Sequence, residues 1–302
     1  MQLLVYIVLF FSHFKIRSSL AVDPVDNVVQ LNMAHDSAAY IFTQSPEADQ
    51  AASDYIRQEW AHRTDLLEIW DQADMRVEQH SKVPLGLRKE HIMAIYAYTQ
   101  ESALYKEFNA ATRQYGTNDT IYQQKFHFKC FHYLLSIALD KLKRKPHKTF
   151  RGVHIELEAS KGDFIRLGQF TSTSLDRSVA MGFMARDSHR NTLLEIDTKL
   201  GVPISRFAVT RSEYEVLIPP FEVFEVIHEP NFGVNEENSW VIIQLVAKGC
   251  RGIRVSVDTS NGSFRVKRAK EGISEHCASL DTDNCCTANK KDIESCSVTN
   301  IS

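Results

Sequence analysis

Beyond its first eleven residues the chain has no long hydrophobic run. Leu3 to Phe11 is apolar but too short to cross a bilayer, and after Val266 no apolar stretch returns before the end at Asn300-Ile301-Ser302. A membrane-spanning helix is therefore not expected, nor is a glycosylphosphatidylinositol signal, which needs a hydrophobic tail. Charge of one sign is also scarce: the net charge is -3, with the signs well mixed, which argues against nucleic acid because polyanion binding needs a basic field. Gly-x-Gly-x-x-Gly after a strand, a phosphate loop ending in Gly-Lys-Ser/Thr and His-Glu-x-x-His are all missing, which removes the doubly wound dinucleotide fold, the phosphate-loop fold and the zinc-peptidase helix. Internal repeats are absent too.

Cysteine is sparse and unevenly placed. Cys130 stands alone between Val22 and Thr149, and the other five are Cys250, Cys277, Cys285, Cys286 and Cys296. The even total of six suits disulfides in an oxidising compartment, and Cys285-Cys286 lacks the spacing of a zinc site, so no metal is expected. Ser19-Leu20-Ala21 places small residues where a signal peptidase would cut, predicting a signal peptide over 1–21 and a secreted chain without a stable membrane anchor. Lys15 and Arg17 follow the apolar run rather than precede it, so an uncleaved anchor is the alternative. Sequons at Asn118, Asn261 and Asn300 agree with export.

The remaining composition is that of a globular protein, 43% hydrophobic and 24% charged, long enough for one large domain. Apolar residues recur at helical spacing over 52–73, with a break near Arg63-Thr64, then over 88–99, 102–115 and 122–142. The broadest apolar face belongs to 122–142, where Phe126, Cys130, Tyr133, Leu134, Ile137 and Leu142 align. The basic run from Lys141 to Lys148 suits a helix C-terminus. After residue 148 the pattern changes to short β-prone runs at 149–155, 164–174, 192–197, 214–227, 240–247, 252–257 and 264–266, with a short helix at 178–185. Helices followed by strands indicate an α+β protein.

Three strand-flanked motifs carry the chemistry: Phe150-Arg151-Gly152-Val153, Phe170-Thr171-Ser172-Thr173-Ser174 and Ser212-Glu213-Tyr214-Glu215-Val216. Singly each is ordinary: an Arg before Gly is commonly a turn residue, and Glu-x-Glu is commonly the wet face of an edge strand. Together they place a cation, a hydroxyl and two carboxylates in order, 21 and 43 residues separating Arg151, Ser172 and Glu215.

In order and flanks these motifs resemble the arginine-specific mono-ADP-ribosyltransferases of the vertebrate ecto-enzyme type. Pro84-Leu85-Gly86-Leu87-Arg88, Ala97-Tyr98-Thr99, Lys106-Glu107-Phe108-Asn109 and Phe126-His127-Phe128-Lys129 extend the resemblance over roughly residues 30 to 248. It implies a helical region, to about residue 148, packed on a split β-sandwich ADP-ribosyltransferase core. The catalytic domain would cover 22–248, followed by a Cys-rich polar extension over 249–302.

The resemblance also implies NAD or NADP as substrate and arginine-containing proteins as acceptors. Arg151 would hold the phosphates, with Gly152 allowing close backbone approach. Ser172 would orient the nicotinamide ribose, and Glu215 would stabilise the positive charge that develops on the sugar as nicotinamide leaves. Glu213, if it shares an extended segment with Glu215, would point the same way and accept the incoming guanidinium. Tyr98 and Gln169 match positions near the dinucleotide; Phe183 is a candidate for stacking on nicotinamide or, equally, a core residue. His91, His127, His132 and His154 read as structural or surface residues. Alternatives are an NAD glycohydrolase with water as acceptor, which would not need Glu213, and a catalytically silent binding protein of the same fold. The family's disulfides, from the N-terminal segment to a late cysteine and from just before Phe-Arg-Gly to the region ahead of Glu-x-Glu, lack their cysteines here.

Overall fold

The computed structural model describes residues 28–80, 82–142, 144–184, 190–234, 239–260 and 263–268. The signal-peptide segment, the tail beyond residue 268 with its four cysteines, and the sequons at Asn261 and Asn300 lie outside them.

Helices α1 (Pro46–Glu59), α2 (Thr64–His80), α3 (Lys89–Tyr98), α4 (Ala103–Gln114), α5 (Asp119–Lys125) and α6 (Lys129–Lys141) form the first half. Local signals start α1: the Ser45 hydroxyl accepts from Ala48 N at 3.1 Å, Pro46 occupies the first turn, and Glu47 and Asp49 lie at the positive end of the helix dipole. The α1–α2 break falls where expected.

The single helix expected over 122–142 is instead two, parted at Phe126–Phe128. Phe126 leaves the helix with φ -89° and ψ 99°, and both it and Phe128 are buried. No Gly or Pro marks the break. It is held from a distance: Glu59 accepts from Lys129 N at 2.8 Å and Cys130 N at 3.0 Å, while Trp60 Nε1 donates to His127 O at 3.0 Å. Those bonds supply the α6 N-terminus with the acceptors its own N-cap, Phe128, lacks.

The strands are β1 (Val28–Gln30), β2 (Tyr40–Phe42), β3 (His147–Val153), β4 (Glu156–Glu158), β5 (Phe164–Ile165), β6 (Thr171–Ser174), β7 (Asn191–Thr198), β8 (Val202–Pro203), β9 (Glu215–Ile218), β10 (Glu222–Val226), β11 (Asn231–Val234), β12 (Ser239–Cys250), β13 (Ile253–Asp258) and β14 (Arg265–Arg268). The main sheet runs β5, β10, β12, β7, β3, β6, β9, β8, with β11 beside β12. Thus the expected continuous runs 164–174 and 214–227 are each two strands. The short helix is α7 (Arg177–Met181).

The sheet has a weak seam. β3 and β7 share seven registered pairs, from His147↔Thr198 to Val153↔Thr192, whereas β3 and β6 share one, Phe150↔Ser174. The two parts fold toward each other over a core of Ile165, Leu194, Ile196, Ile218, Phe224 and Ile243, while the outer face of β6 and β9 packs on the helices through Phe170 and Leu217. This is the α+β, split-sandwich architecture the sequence predicts.

The boundary expected at residue 248 falls inside β12. Beyond it, β13 pairs with β14 and with β2, and Val255, Phe264 and Val266 join the helical core, so the first part of the extension is structural. Burial of each such apolar side chain contributes about 1.5–3 kcal/mol.

Cys130 is free and buried, and Cys250 is disulfide-bonded. The loop after β1 is tied down without sulfur: buried Arg166 donates to Ala34 O, Ser37 Oγ and Arg251 O. His132 is fully buried against Tyr122, and burial lowers its pKa to about 3; His91 contacts Asp49. Both are structural, as expected.

Candidate active site

β6 and β9 carry the acid and the hydroxyl. Their register pairs Ser174 with Glu215 and Ser172 with Leu217, so Ser172 and Glu215 are diagonal neighbours on one face. Leu217 belongs to the helical core, which fixes that face as the one turned toward α3 and α4.

Arg151 reaches this face because β3 and β6 part just past Phe150 and Ser174. Its Nη1 donates to Ser172 O at 2.7 Å, occupying a main-chain acceptor in the gap. Burial lowers the guanidinium's pKa, opposed by Tyr98, Tyr105 and Glu215. The space beside Gly152 has a structural use not anticipated from the sequence: a Cβ there would lie 2.1 Å from Ala180 O, so glycine is required for α7 to cross β3.

Glu215 is 7% exposed. Burial pushes its pKa up to about 7; the Ser172 hydroxyl opposes that shift, Glu213 adds to it, and Arg151 opposes it. A carboxylate in this setting is costly to ionise alone and well placed to meet an incoming positive charge.

Glu213 and Glu215 do not share an extended segment. Arg211–Glu213 is a 3-10 turn and Tyr214 is left-handed, with φ 48° and ψ 42°, so alternation along a strand does not orient Glu213. The turn is held by Ser174 Oγ donating to Glu213 O at 2.6 Å and by Val209 N donating to Thr99 Oγ1 at 3.0 Å. Glu213 is half-buried at the rim, its pKa raised by burial and then by Glu101; Tyr214 is exposed.

Tyr98 is deeply buried behind the site. Its hydroxyl donates to Phe170 O and accepts from Asn109 Nδ2, each at 2.9 Å, and it also interacts with Ser172. Gln169 is half-buried, and its Oε1 has no partner among the described residues. Phe183 follows α7 and is 42% exposed, which suits a ligand-facing ring better than a core residue. The α4 residues Tyr105 and Asn109 were not singled out as site residues, although their four-residue spacing puts them on one helix face. Among the described residues no group of three or more His, Cys, Asp or Glu could hold a metal ion.

A buried acid beside a serine and an arginine, on a split sheet covered by helices, is chemically suited to a phosphate-bearing ligand on which positive charge develops. Residues 32–250 match the model of the family NAD:arginine ADP-ribosyltransferase, and the chain belongs to that family. It is similar to NAD(P)(+)--arginine ADP-ribosyltransferase 2 of Gallus gallus, 45% identical over 55% of this chain and 51% of the relative. Ecto-ADP-ribosyltransferase 5 of Bos taurus is 40% identical over 60% of each chain. GPI-linked NAD(P)(+)--arginine ADP-ribosyltransferase 1 of Homo sapiens is 42% identical over 53% of this chain and 49% of the relative. The chain thus spans about half to three-fifths of the length of these curated relatives. A crystal structure of a variant of the eukaryotic mono-ADP-ribosyltransferase ART2.2 in complex with NADH superposes with TM-score 0.58 at 26% identity, over 72% of this chain and 93% of the other.

Proposed function

We propose that this protein transfers ADP-ribose from NAD to arginine side chains of acceptor proteins and releases nicotinamide. The observation that carries the reading is Glu215, buried on a sheet face with the Ser172 hydroxyl and the Arg151 guanidinium around it. Arg151 binds the diphosphate by charge-assisted hydrogen bonds. Ser172 positions the nicotinamide ribose and Glu215. As the glycosidic bond breaks, its electron pair leaves with nicotinamide, and the ionised Glu215 faces the cationic sugar. Glu213, at the rim, accepts hydrogen bonds from the incoming guanidinium and takes up the proton that its nitrogen gives up on bonding to the sugar carbon. Tyr98 supports this set from behind, and Gln169 and Phe183 complete the NAD-facing wall.

Incubation of the purified protein with NAD labelled in its ADP-ribose part and an arginine-rich acceptor tests the reading. Label on the acceptor supports transfer; free ADP-ribose alone makes the protein a glycohydrolase; neither product overturns both.

The similarity to an ecto-ADP-ribosyltransferase and to a GPI-linked arginine ADP-ribosyltransferase supports an extracellular site of action here. No helix among the described residues is long and apolar enough to cross a membrane. Release as a soluble protein is the finer proposal, and recovery of the full chain in cell medium rather than on the cell surface tests it.

A further inference from the structure

Glu222, the first residue of β10, is 1% exposed and takes no part in the chemistry proposed above. Its carboxylate accepts three hydrogen bonds from one turn. Thr198 Oγ1 donates to Oε2 at 2.6 Å, and Lys199 N and Leu200 N donate to Oε1 at 2.7 and 2.9 Å. Thr198 Oγ1 in turn accepts from Gly201 N at 2.8 Å. Three donors around one group match an ionised carboxyl, which only accepts. Burying a carboxyl costs free energy that an apolar side chain at the same place would not. What it supplies instead is direction: one turn is held in one orientation.

That turn leads to the reacting carboxylate. β8 follows it and pairs with β9 through Val202↔Leu217 and Pro203↔Val216, and Ile204 N donates to the main-chain oxygen of Glu215 itself at 3.0 Å. Gly201 lies so close to β9 that a Cβ there would be 2.8 Å from Val216 Cγ1. From the other side, Glu215 is joined to Glu222 by β9 and the short link Pro219-Pro220-Phe221. The way out from Glu222 through the turn and β8, and the way back along β9, close a ring that contains Glu215. β8 is a two-residue strand at the end of the sheet, so its own ladder holds it weakly, and residues 199–212 contain no cysteine to fix it covalently.

Building on the reading of Glu215 as the group that faces the cationic sugar, we propose that Glu222 is a positioning residue for the reaction. Through the Thr198–Gly201 turn and β8 it sets where β9, and with it Glu215, lies against Ser172 on β6. It touches no substrate. The competing role is stabilisation of the fold alone, since Val202 and Ile204 are both fully buried and anchor the same segment by packing. The two roles differ in what they change. Arg151 and Ser172, on β3 and β6, lie outside the ring, so a loosened clasp displaces the acid and spares the groups that hold NAD.

Thr198→Val removes the hydroxyl while keeping the side chain's shape and both main-chain bonds to Glu222, and Thr198→Ser keeps the hydroxyl. Assayed well below their Tm, Thr198→Val and Glu222→Gln should lower kcat for nicotinamide release about 10- to 100-fold, as for a misplaced reacting group, with KM for NAD within about twofold. Thr198→Ser should keep most of the rate. Amide exchange at Ile204, whose N–H meets Glu215 O, should quicken in Thr198→Val and not in Thr198→Ser. Should Glu222→Gln fail to fold, the Thr198 pair decides alone. A lowered Tm with kcat unchanged in Thr198→Val would overturn the proposal in favour of stabilisation, and a rise in KM as large as the fall in kcat would overturn it as general disruption of the site. Failure of the unsubstituted protein to release nicotinamide from NAD would overturn the functional reading and this role with it, whatever the exchange at Ile204.

Discussion

Arg151 Nη1 and Ser172 O are 2.7 Å apart, and this bond bridges the seam where the β3–β6 ladder has stopped. One guanidinium thus holds the seam and offers its remaining donors to a ligand. Lysine keeps the charge but loses the planar fork, so it cannot serve both sides. Arg151→Lys should lower kcat/KM for NAD about 10- to 100-fold, the range for a lost hydrogen bond to a charged group. Nicotinamide release against NAD concentration measures it.

Glu215 must be ionised to face a cationic sugar, yet burial raises its pKa from 4.5 to about 7. With NAD below saturation, the rate should rise with pH through about 7. Stability runs the opposite way. The folded state holds this proton more tightly than the unfolded state, so the contribution is full below pH 4.5 and is lost as pH rises through about 7. Glu215→Gln should cut turnover by about a hundredfold or more while raising Tm at pH 8 by a few degrees. Near-normal turnover would remove Glu215 from its assigned role.

Because Glu213 sits on a turn and not in the strand, it can be changed without disturbing the β6–β9 ladder. Glu213→Gln should abolish most transfer to a guanidino acceptor while NAD hydrolysis persists. Both products can be counted in one reaction, and undiminished transfer would show that the acceptor is held elsewhere.

Glu59 serves a helix that begins seventy residues later, accepting two of its first N–H groups and pairing with Lys129 at 3.1 Å. Glu59→Ala should cost about 1–3 kcal/mol, the range for buried donors left unsatisfied, and lower Tm by several degrees. The KM for NAD should not change. Thermal unfolding followed by circular dichroism, beside steady-state kinetics, checks both parts.

What was legible in the sequence was whatever is local. Helical spacing located α1 to α4, and the flanks of Arg151, Ser172 and Glu215 marked three strands that do converge. The break before α6 was not legible, since its cause, Glu59 and Trp60, lies on another helix and Phe126–Phe128 contains no breaker. Nor was the seam between β3 and β6: strand periodicity says which side a residue faces, not how far two strands stay paired. β1 is three residues long and exposed throughout, so it carries no alternation to detect, and its pairing with β4 is set by the fold. The left-handed Tyr214 defeated the Glu-x-Glu alternation argument, because a two-residue spacing implies a shared face only in extended backbone.

Arg166 fastens the loop after β1 to the end of β12 through three oxygens, two of them main-chain carbonyls and none a carboxylate. A cystine clasp opens or shuts with the thiol–disulfide potential of its surroundings. This one contains nothing a reductant can attack, so its own three bonds do not depend on the redox state of the medium.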